Sequence, residues 1–337
     1  MRLHVLAKAT SRLRQAWIDR SEDGGYRRYV VYMAFVSILA VFALILWDDG
    51  FLSWSNLLNI GRQAAPIAVM AVGMAFALAS AEIDLSIGST VALSSLVAAV
   101  MVADYGFFVG ALAAVLVGAS VGLVNGLVAV KIRIPSFLVT LGTLGIISGI
   151  ARNMNNLQSM PIRNDTFSAL FGAGSLGPIS SLVIWTAVAF AVGHFALHHL
   201  RWGRHVLATG ANRASAKAAG LNTDRIRISA LMVSSTAAAF AGVLLAGRLA
   251  IGRHDLGEND LLTVIAAVVI GGTSLFGGRA SIAGAVTGAL IMAMLNNGLI
   301  LMGLEVADQL IARGFIIIVA VALSMRAPSE SVGDDVP

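Results

Sequence analysis

The sequence contains no cysteine and few charged residues. The absence of cysteine among its 337 residues excludes disulfide bonds, thiol catalysis and thiolate metal sites. Charged residues make up 12% of the chain and hydrophobic residues 58%, whereas soluble domains carry about 25% charged residues. This composition indicates a protein that lies mostly within a membrane.

Motifs of nucleotide and hydrolytic chemistry are also missing from the sequence. It has no GxxxxGK[ST] loop to hold the phosphates of a nucleotide, so we do not expect this chain to hydrolyse ATP. It likewise lacks the kinase, HExxH and GxSxG signatures. We therefore predict that the chain is not an enzyme, has no catalytic residues and binds no cofactor.

Long apolar runs dominate the sequence. A helix needs about 20 mostly apolar residues to cross the hydrocarbon core of a membrane, and ten such runs can be counted. Because the runs lack the alternation of barrel strands, their backbone polar groups must be satisfied within helices. We predict an all-α polytopic membrane protein with about ten transmembrane helices. The runs start near Val30, Ala64, Ile87, Phe107, Ile134, Ile179, Ser229, Leu261, Ser281 and Gln309.

The distribution of lysine and arginine predicts the orientation of these runs. With the N-terminus inside, 17 basic residues fall in cytoplasmic segments and 5 in outside connections, as the positive-inside rule requires. Both termini are therefore predicted to be cytoplasmic. We divide the chain into a basic tail (1–28), a transmembrane domain (29–326) with a cytoplasmic loop (198–228), and a second tail (327–337). This orientation accounts for the net charge of +5, so no nucleic-acid partner is expected.

The segment AEIDLSIGS, from Ala81 to Ser89, places two carboxylates between two apolar runs. A charge near the bilayer centre costs about 2.5 to 3.5 kcal/mol on insertion scales. Glu82 and Asp84 therefore indicate either a water-lined path or a turn at the membrane surface. Ser86 and Ser89 can cap the helix that follows and pair with Asp84. Asp84 either braces a break beside a translocation path or serves as a structural N-cap.

Three asparagines lie inside otherwise apolar runs. Such residues form hydrogen bonds between helices or line a hydrated path, and packing between helices is the commoner role. Together with the four residues of the acidic segment they form our set of path or gate candidates. The set is Glu82, Asp84, Ser86, Ser89, Asn125, Asn296 and Asn297.

Glycines at four-residue spacing predict close approach of helices. The glycine sets are Gly118, Gly122 and Gly126, then Gly145 with Gly149, and Gly284 with Gly288.

A group of histidines near the end of one apolar run could suggest a metal site. His194, His198 and His199 have no carboxylate at ligand spacing, so we predict no metal site there.

The longest predicted cytoplasmic connection is the basic segment 201–227. A short helix is predicted over Ala214 to Ala219, and glycines punctuate the segment. A short helix between turns can dock in a groove of another subunit and transmit its motion, although an ordinary basic loop would look similar. The candidates for contact with a partner that supplies energy are Gly203, Arg204, Gly210, Asn212, Ala216 and Gly220.

Several motifs together resemble one transporter family. They are IDLSIGS (83–89), GRHVLATGANRASAKAAGL (203–221), AAVVIGGTSLFGG (266–278) and LNNGL (295–299). In order and spacing they are similar to the permease subunit of bacterial monosaccharide ABC importers of the ribose type, over about residues 56–325. The chain departs from this pattern at Glu82, where the family most often has glycine, and at Arg213, where an acidic residue is common.

The resemblance implies the partners of the chain. Two copies, or this chain and a paralogue, would enclose the pathway in the bacterial inner membrane. A cytoplasmic ABC ATPase would dock on Gly203 to Leu221 and use ATP, and a periplasmic sugar-binding protein would deliver the solute. Two other transporter readings stay open, a branched-chain amino-acid ABC permease and an ion-coupled carrier that works alone. A membrane protein without transport is a third alternative, but no paired catalytic residues support it.

Overall fold

The computed structural model of the protein describes residues 25–325. The predicted tails, apart from the last four residues of 1–28, lie outside the described residues. Helices make up most of the described chain. They are α1 (Gly25–Ile45), α2 (Trp54–Ala79), α3 (Ile87–Lys131), α4 (Ser136–Met154), α5 (Asp165–Ser168), α6 (Ser181–His198), α7 (Arg201–Ala211), α8 (Arg213–Ala218), α9 (Thr223–Leu249), α10 (Asp260–Ile270), α11 (Ile282–Leu301) and α12 (Val306–Met325).

Two pairs of very short strands occur in the connections. β1 (Met160–Pro161) pairs with β4 (Ile251–Gly252), and β2 (Ser175–Leu176) pairs with β3 (Ile179–Ser180), both antiparallel. A π-helical turn, Ala169–Ala173, continues α5. These elements lie in the connections before α6 and after α9 and form no larger sheet among the described residues.

Six helices of the described part of the chain are long and apolar enough to cross a membrane. They are α2, α3, α4, α6, α9 and α11, while Val30–Ile45 and α10 are shorter apolar helices. Large hydrophobic side chains are exposed on α1, α4 and α6, where they suit contact with lipid. The chain is therefore an all-α, multi-pass membrane protein. Each of the ten predicted runs coincides with a helical segment, but the number that cross the membrane stays a prediction.

The two predicted runs at Ile87 and Phe107 belong to the long helix α3. Gly106 separates its two parts with φ 83° and ψ 175°, a conformation outside the helical region that glycine adopts without a steric penalty. A Cβ placed on Gly110 would overlap Val102, so the two parts pack against each other beyond the kink. The kink therefore allows the first part of α3 to enter the core while the second part flanks it.

Helix α9 packs closely along the second part of α3. A Cβ added to Gly122 would lie 2.6 Å from the carbonyl oxygen of Leu231, and one added to Gly126 would lie 2.7 Å from Cα of Ile228. Gly118 is equally confined by α9. The prediction of close approach from this glycine spacing is therefore confirmed. Such contacts supply much of the association energy between helices in lipid.

The other two glycine sets differ from each other. Gly284 and Gly288 on α11 press against backbone atoms of Gly271 and Ala267, as the spacing predicted. In contrast, a Cβ added to Gly145 or Gly149 on α4 would meet no described atom within 4 Å. The expectation of close packing is wrong for this pair within the described chain, because α4 is a peripheral helix whose glycine face points outward.

Candidate functional site

The acidic segment forms a buried break between α2 and α3. Helix α2 ends at Ala79 and α3 begins at Ile87, and the intervening Ala81 has a positive φ of 60°. Asp84 contacts Ser235, which lies near the middle of the 27-residue α9. Irregular backbone within a membrane is tolerated only where protein buries it or where it lines a cavity. The break is buried within the described fold and so meets this requirement.

Asp84 is fully buried and is held by hydroxyl and backbone donors. One carboxylate oxygen, Oδ1, accepts hydrogen bonds from the backbone N–H and the hydroxyl of Ser86, at 3.0 and 2.6 Å. The other, Oδ2, accepts one from the Ser235 hydroxyl at 2.9 Å. Among the ion pairs of the described residues, none includes Asp84. Hydrogen bonds alone therefore compensate for its burial, as a buried polar group requires.

The same network extends into the second part of α3 through Asn125. Its amide nitrogen donates to the Ser86 hydroxyl at 2.9 Å, while its oxygen Oδ1 has no partner among the described residues. Ser89 donates to the carbonyl of Ser86 at 3.0 Å. The prediction that these serines pair with Asp84 is confirmed for Ser86, whereas the prediction that their side chains cap α3, and the pairing of Ser89, need correction. Ser86 occupies the N-cap without a side-chain cap, because its hydroxyl serves Asp84, and Ser89 bonds to backbone.

Helix α4 clamps the break with two hydroxyl side chains that the sequence did not single out as site residues. Ser136 accepts a hydrogen bond from the backbone N–H of Ile83, and Thr140 accepts one from that of Leu85, both at 3.0 Å. Thr140 also lies 2.9 Å from the carbonyl of Ser136 in its own helix. Their four-residue spacing, which places both on one face of a helix, is the signal that could have pointed to them.

Glu82 forms ion pairs with arginines, whereas Asp84 has only hydroxyl and backbone donors among the described residues. Its side chain is 2% exposed, and Oε1 accepts hydrogen bonds from Arg213 at 2.8 Å and from Arg227. Arg213 is the first residue of α8, and Arg227 lies in the second turn of α9. Neither arginine was a predicted path residue, although Arg213 was noted as a departure from the family pattern. The break is therefore tied electrostatically to the loop that was predicted to contact a partner.

A cavity of about 290 Å³ lies beside the start of α3. Its lining combines hydroxyl groups, an ion pair between Arg152 and Glu258 with N–O distance 2.8 Å, and two leucines. The lining residues are Gly88, Ser89, Leu144, Ser148, Arg152, Glu258 and Leu261. Of the predicted path residues, Ser89 is the member that reaches this cavity.

The two asparagines of α11 make contacts apart from the break. Asn297 exchanges two hydrogen bonds with Asn56 of α2, each 2.9 Å long, and is 3% exposed. Asn296 is half-buried on the same helix. The structure thus brings Glu82, Asp84, Ser86, Ser89 and Asn125 together, while Asn297 joins α11 to α2.

The predicted coupling loop folds into α7 and α8. The predicted short helix over 214–219 is α8, which runs from Arg213 to Ala218. Asn212 caps it by accepting a hydrogen bond from the N–H of Ser215 at 2.9 Å, Ala216 is buried, and Arg204 is exposed. Gly220, with φ +85°, ends the turn after α8.

Two glycines of α7 permit backbone contacts. A Cβ at Gly203 would overlap the carbonyl groups of Ala196 and Leu197, and one at Gly210 would overlap the carbonyl oxygen of Ala79 at the end of α2. Gly210 therefore sets α7 directly against the start of the break.

The histidines at the end of α6 lie close together. The ring centroids of His194 and His198 are 4.6 Å apart. Within the described residues no group of three or more histidine, cysteine or acidic residues is arranged to hold a metal ion.

Comparison with known proteins identifies the family. The model of the family described as "Branched-chain amino acid transport system / permease component" matches residues 56–321. The chain belongs to this permease family. The resemblance inferred from the motifs is thereby confirmed at the level of the family. No solved structure was found to match the chain.

Three named relatives are similar to the permease over most of its length. The ribose import permease protein RbsC of Escherichia coli K12 is 34% identical over 296 residues, which cover 86% of this chain and 92% of the relative. The L-arabinose ABC transporter permease protein AraH of Azospirillum brasilense is 36% identical over 293 residues, or 86% and 85% of the two chains. A ribose import permease of Bacillus subtilis strain 168 is also 34% identical.

Proposed function

We propose that this chain is the membrane-spanning permease subunit of an ATP-binding-cassette importer that moves a monosaccharide or a related sugar or polyol. The observation that carries the proposal is similarity over almost the whole chain to permeases named for ribose and L-arabinose import. The buried polar break at Asp84 supports it, because polar residues inside the membrane are costly and typically mark a solute or ion path.

We place the translocation path beside this break. Asp84, Ser86, Ser89 and Asn125 form one hydrogen-bonded group there, and Ser89 also lines the cavity near Arg152. The hydroxyl and amide groups of this region suit a solute that exchanges hydrogen bonds. In this proposal Asp84 holds the break in shape, so that the path keeps its width at mid-membrane.

The partners and the topology form part of the same proposal. A cytoplasmic ABC ATPase docks on α7 and α8 and uses ATP, a periplasmic binding protein delivers the sugar, and a second copy or a paralogue completes the path. The chain lies in the bacterial inner membrane with ten spans and both termini in the cytoplasm. The exposed, basic surface of α7 and α8 supports the docking assignment.

Purification from the native membrane tests the transporter class. A mild detergent extract is analysed by mass spectrometry, and we expect an ATPase with nucleotide-binding motifs to co-purify.

An uptake assay tests the substrate class. Uptake of radiolabelled D-ribose, L-arabinose and, as the alternative substrate, L-leucine is measured in cells with and without the gene. ATP-dependent sugar uptake supports the proposal, whereas leucine uptake would assign the chain to the amino-acid branch.

An ionophore distinguishes the importer from a carrier that works alone. Collapse of the ion gradients should leave uptake intact while the cells keep their ATP. Uptake that stops with the ionophore, together with a preparation that contains no ATPase, would assign the chain to the ion-coupled carriers.

The substitution Asp84→Asn tests the role of the break. The neutral amide retains the size of the carboxylate but loses its charge, and hydrogen bonds to charged groups contribute about 1.5 to 3 kcal/mol each. We expect sugar uptake to fall at least roughly tenfold, since 1.4 kcal/mol corresponds to a factor of ten. The amount of protein in the membrane should stay unchanged on an immunoblot. Uptake at the wild-type rate would assign Asp84 a structural role only.

A further inference from the structure

Glu82 links three elements that are distant in sequence. The residue lies in the break, and its Oε1 atom contacts Arg213 at the start of α8 and Arg227 on α9. The two arginines differ in burial, with 46% of the Arg213 side chain exposed and 11% of that of Arg227. The buried Arg227 fixes Glu82 to a core helix, while Arg213 reaches it from the cytoplasmic loop.

The Arg213 contact adds little to stability. A buried carboxylate needs a partner, and Arg227 already supplies one from inside the fold. An ion pair with a half-exposed partner is typically worth between 0 and about 1 kcal/mol. What the Arg213 contact does provide is a connection between α8 and the segment that carries Asp84.

A rigid contact lies next to this ionic connection. The carbonyl oxygen of Ala79 accepts a hydrogen bond from the backbone N–H of Gly278 at 3.0 Å, and a Cβ at Gly210 would overlap the same oxygen. A Cβ at Gly277 would lie 2.6 Å from the carbonyl oxygen of Gly210 and 2.8 Å from Cβ of Ala81. The end of α7 is therefore packed directly against the beginning of the break. A movement of α7 and α8 would displace the residues there, Ala79 and Ala81.

We propose that Arg213 is a positioning residue of the transport cycle, which ties α8 to the break through Glu82. When the ATPase shifts α7 and α8, the contact at Gly210 pushes on the end of α2, and the Arg213–Glu82 pair carries the shift to the segment that holds Asp84. This inference rests on the proposed function, because it requires an ATPase that docks on α7 and α8.

A reporter in the break tests the connection. The natural chain has no cysteine, so Leu85→Cys introduces a single thiol at a half-buried position of the break. The complex with its ATPase is reconstituted in proteoliposomes, and the rate of reaction with N-ethylmaleimide is measured with and without ATP and vanadate. Allosteric coupling typically changes an equilibrium 5- to 150-fold, so we expect the trapped nucleotide to change the rate at least about fivefold.

The variants separate the ionic connection from general effects on the protein. In the Leu85→Cys background, Arg213→Gln should reduce the response to nucleotide to less than about twofold, while Arg213→Lys, which keeps the cation, should preserve most of it. Arg279→Gln is the matched control, because Arg279 is an exposed arginine outside the four ion pairs of the described residues. Adding Glu82→Gln to Arg213→Gln should cause no further loss of the response to nucleotide, because the Arg213–Glu82 contact is already absent. The added change also removes the carboxylate that pairs with Arg227, so it is judged only in complexes that remain folded.

Each other outcome has a defined meaning. An unchanged response in Arg213→Gln, or an equal loss in Arg279→Gln, overturns the inference. Loss of the ATPase from the Arg213→Gln complex also overturns it, since Arg213 would then be a docking residue. A native complex that binds its ATPase but shows no response at Leu85→Cys overturns the inference and leaves the proposed function standing. Failure of any ATPase to bind the native chain removes the proposed function itself.

Discussion

Glu82 and Asp84 lie two residues apart in the same buried break, yet their carboxyl groups bond to different parts of the molecule. Asp84 receives hydrogen bonds from Ser86, at the N-cap of α3, and from Ser235, near the middle of α9. Glu82 receives them from two arginines, one on α9 and the other on the largely exposed helix α8. The comparison shows that, within the described residues, Asp84 is tied to the interior alone, whereas Glu82 is tied both to the interior and to an exposed helix.

The difference follows from the chemistry of the donors. The serine side chain is short, so its hydroxyl group keeps a hydrogen bond to Asp84 only while the elements that carry the two residues stay packed. Arginine combines a long side chain with a fixed fork of donors, so it can reach a carboxylate from a separate element. Asp84 therefore reports on packing between α9 and the break, whereas Glu82 reports on the position of α8. Three substitutions test this division.

The largest effect on stability is expected for Glu82→Ala. The substitution leaves the guanidinium of Arg227, whose side chain is 11% exposed, without its carboxylate. Removal of one partner from a buried pair costs about 3 to 5 kcal/mol. We expect the free energy of unfolding, measured by SDS titration in mixed micelles, to fall by about 3 kcal/mol.

Glu258→Ala provides the matched control for this change. It also removes a glutamate from an arginine, but the side chains of Glu258 and Arg152 are 32% and 52% exposed. An exposed pair is worth about 1 kcal/mol or less. Equal losses for Glu82→Ala and Glu258→Ala would contradict the view that Glu82 compensates a buried charge.

An intermediate effect is expected for Ser235→Ala. The change removes the Ser235 hydroxyl that donates to Oδ2 of Asp84 at 2.9 Å, and hydrogen bonds to charged groups contribute about 1.5 to 3 kcal/mol. Ser94 on α3 is equally buried, but its hydroxyl has no partner among the described residues. Ser94→Ala should therefore leave the unfolding free energy nearly unchanged in the same titration. A reversed order of the two variants would refute the assigned network.

The sequence predicts helices best where hydrophobicity alone decides them. The run expected from Ile87 begins at that residue, and the run expected from Leu261 begins at Asp260. Helix α2 instead begins at Trp54, before the predicted start at Ala64, because its first turns are polar. There Ser53 accepts a hydrogen bond from the N–H of Asn56, whose side chain pairs with α11. Tertiary contacts of this kind leave no trace in local hydropathy.

The candidate site could likewise be predicted only in part, because hydropathy reveals its charged residues but not their tertiary partners. Charges within an apolar region are conspicuous, so Glu82 and Asp84 stand out in the sequence. Their partners do not, because Ser235 is 151 residues from Asp84 and Arg213 is 131 residues from Glu82. Nothing in the sequence tells which serine of α9 faces the break. The signal for Arg213 was its departure from the family pattern, together with the opposite departure at Glu82, and the structure shows that the two residues pair.

The smallest effect on stability is expected for Arg213→Gln, and it completes the comparison. Glu82 keeps Arg227 after this substitution, and the lost ion pair has a partner that is 46% exposed. The unfolding free energy should therefore fall by about 1 kcal/mol or less. The same SDS titration measures this loss. A fall in unfolding free energy as large as that of Glu82→Ala would mean that Arg213, like Arg227, is needed to compensate the buried charge of Glu82. A small loss, combined with a weaker response of the break to nucleotide, would separate the two arginines by role, because Arg227 then holds the charge of Glu82 and Arg213 connects it to α8.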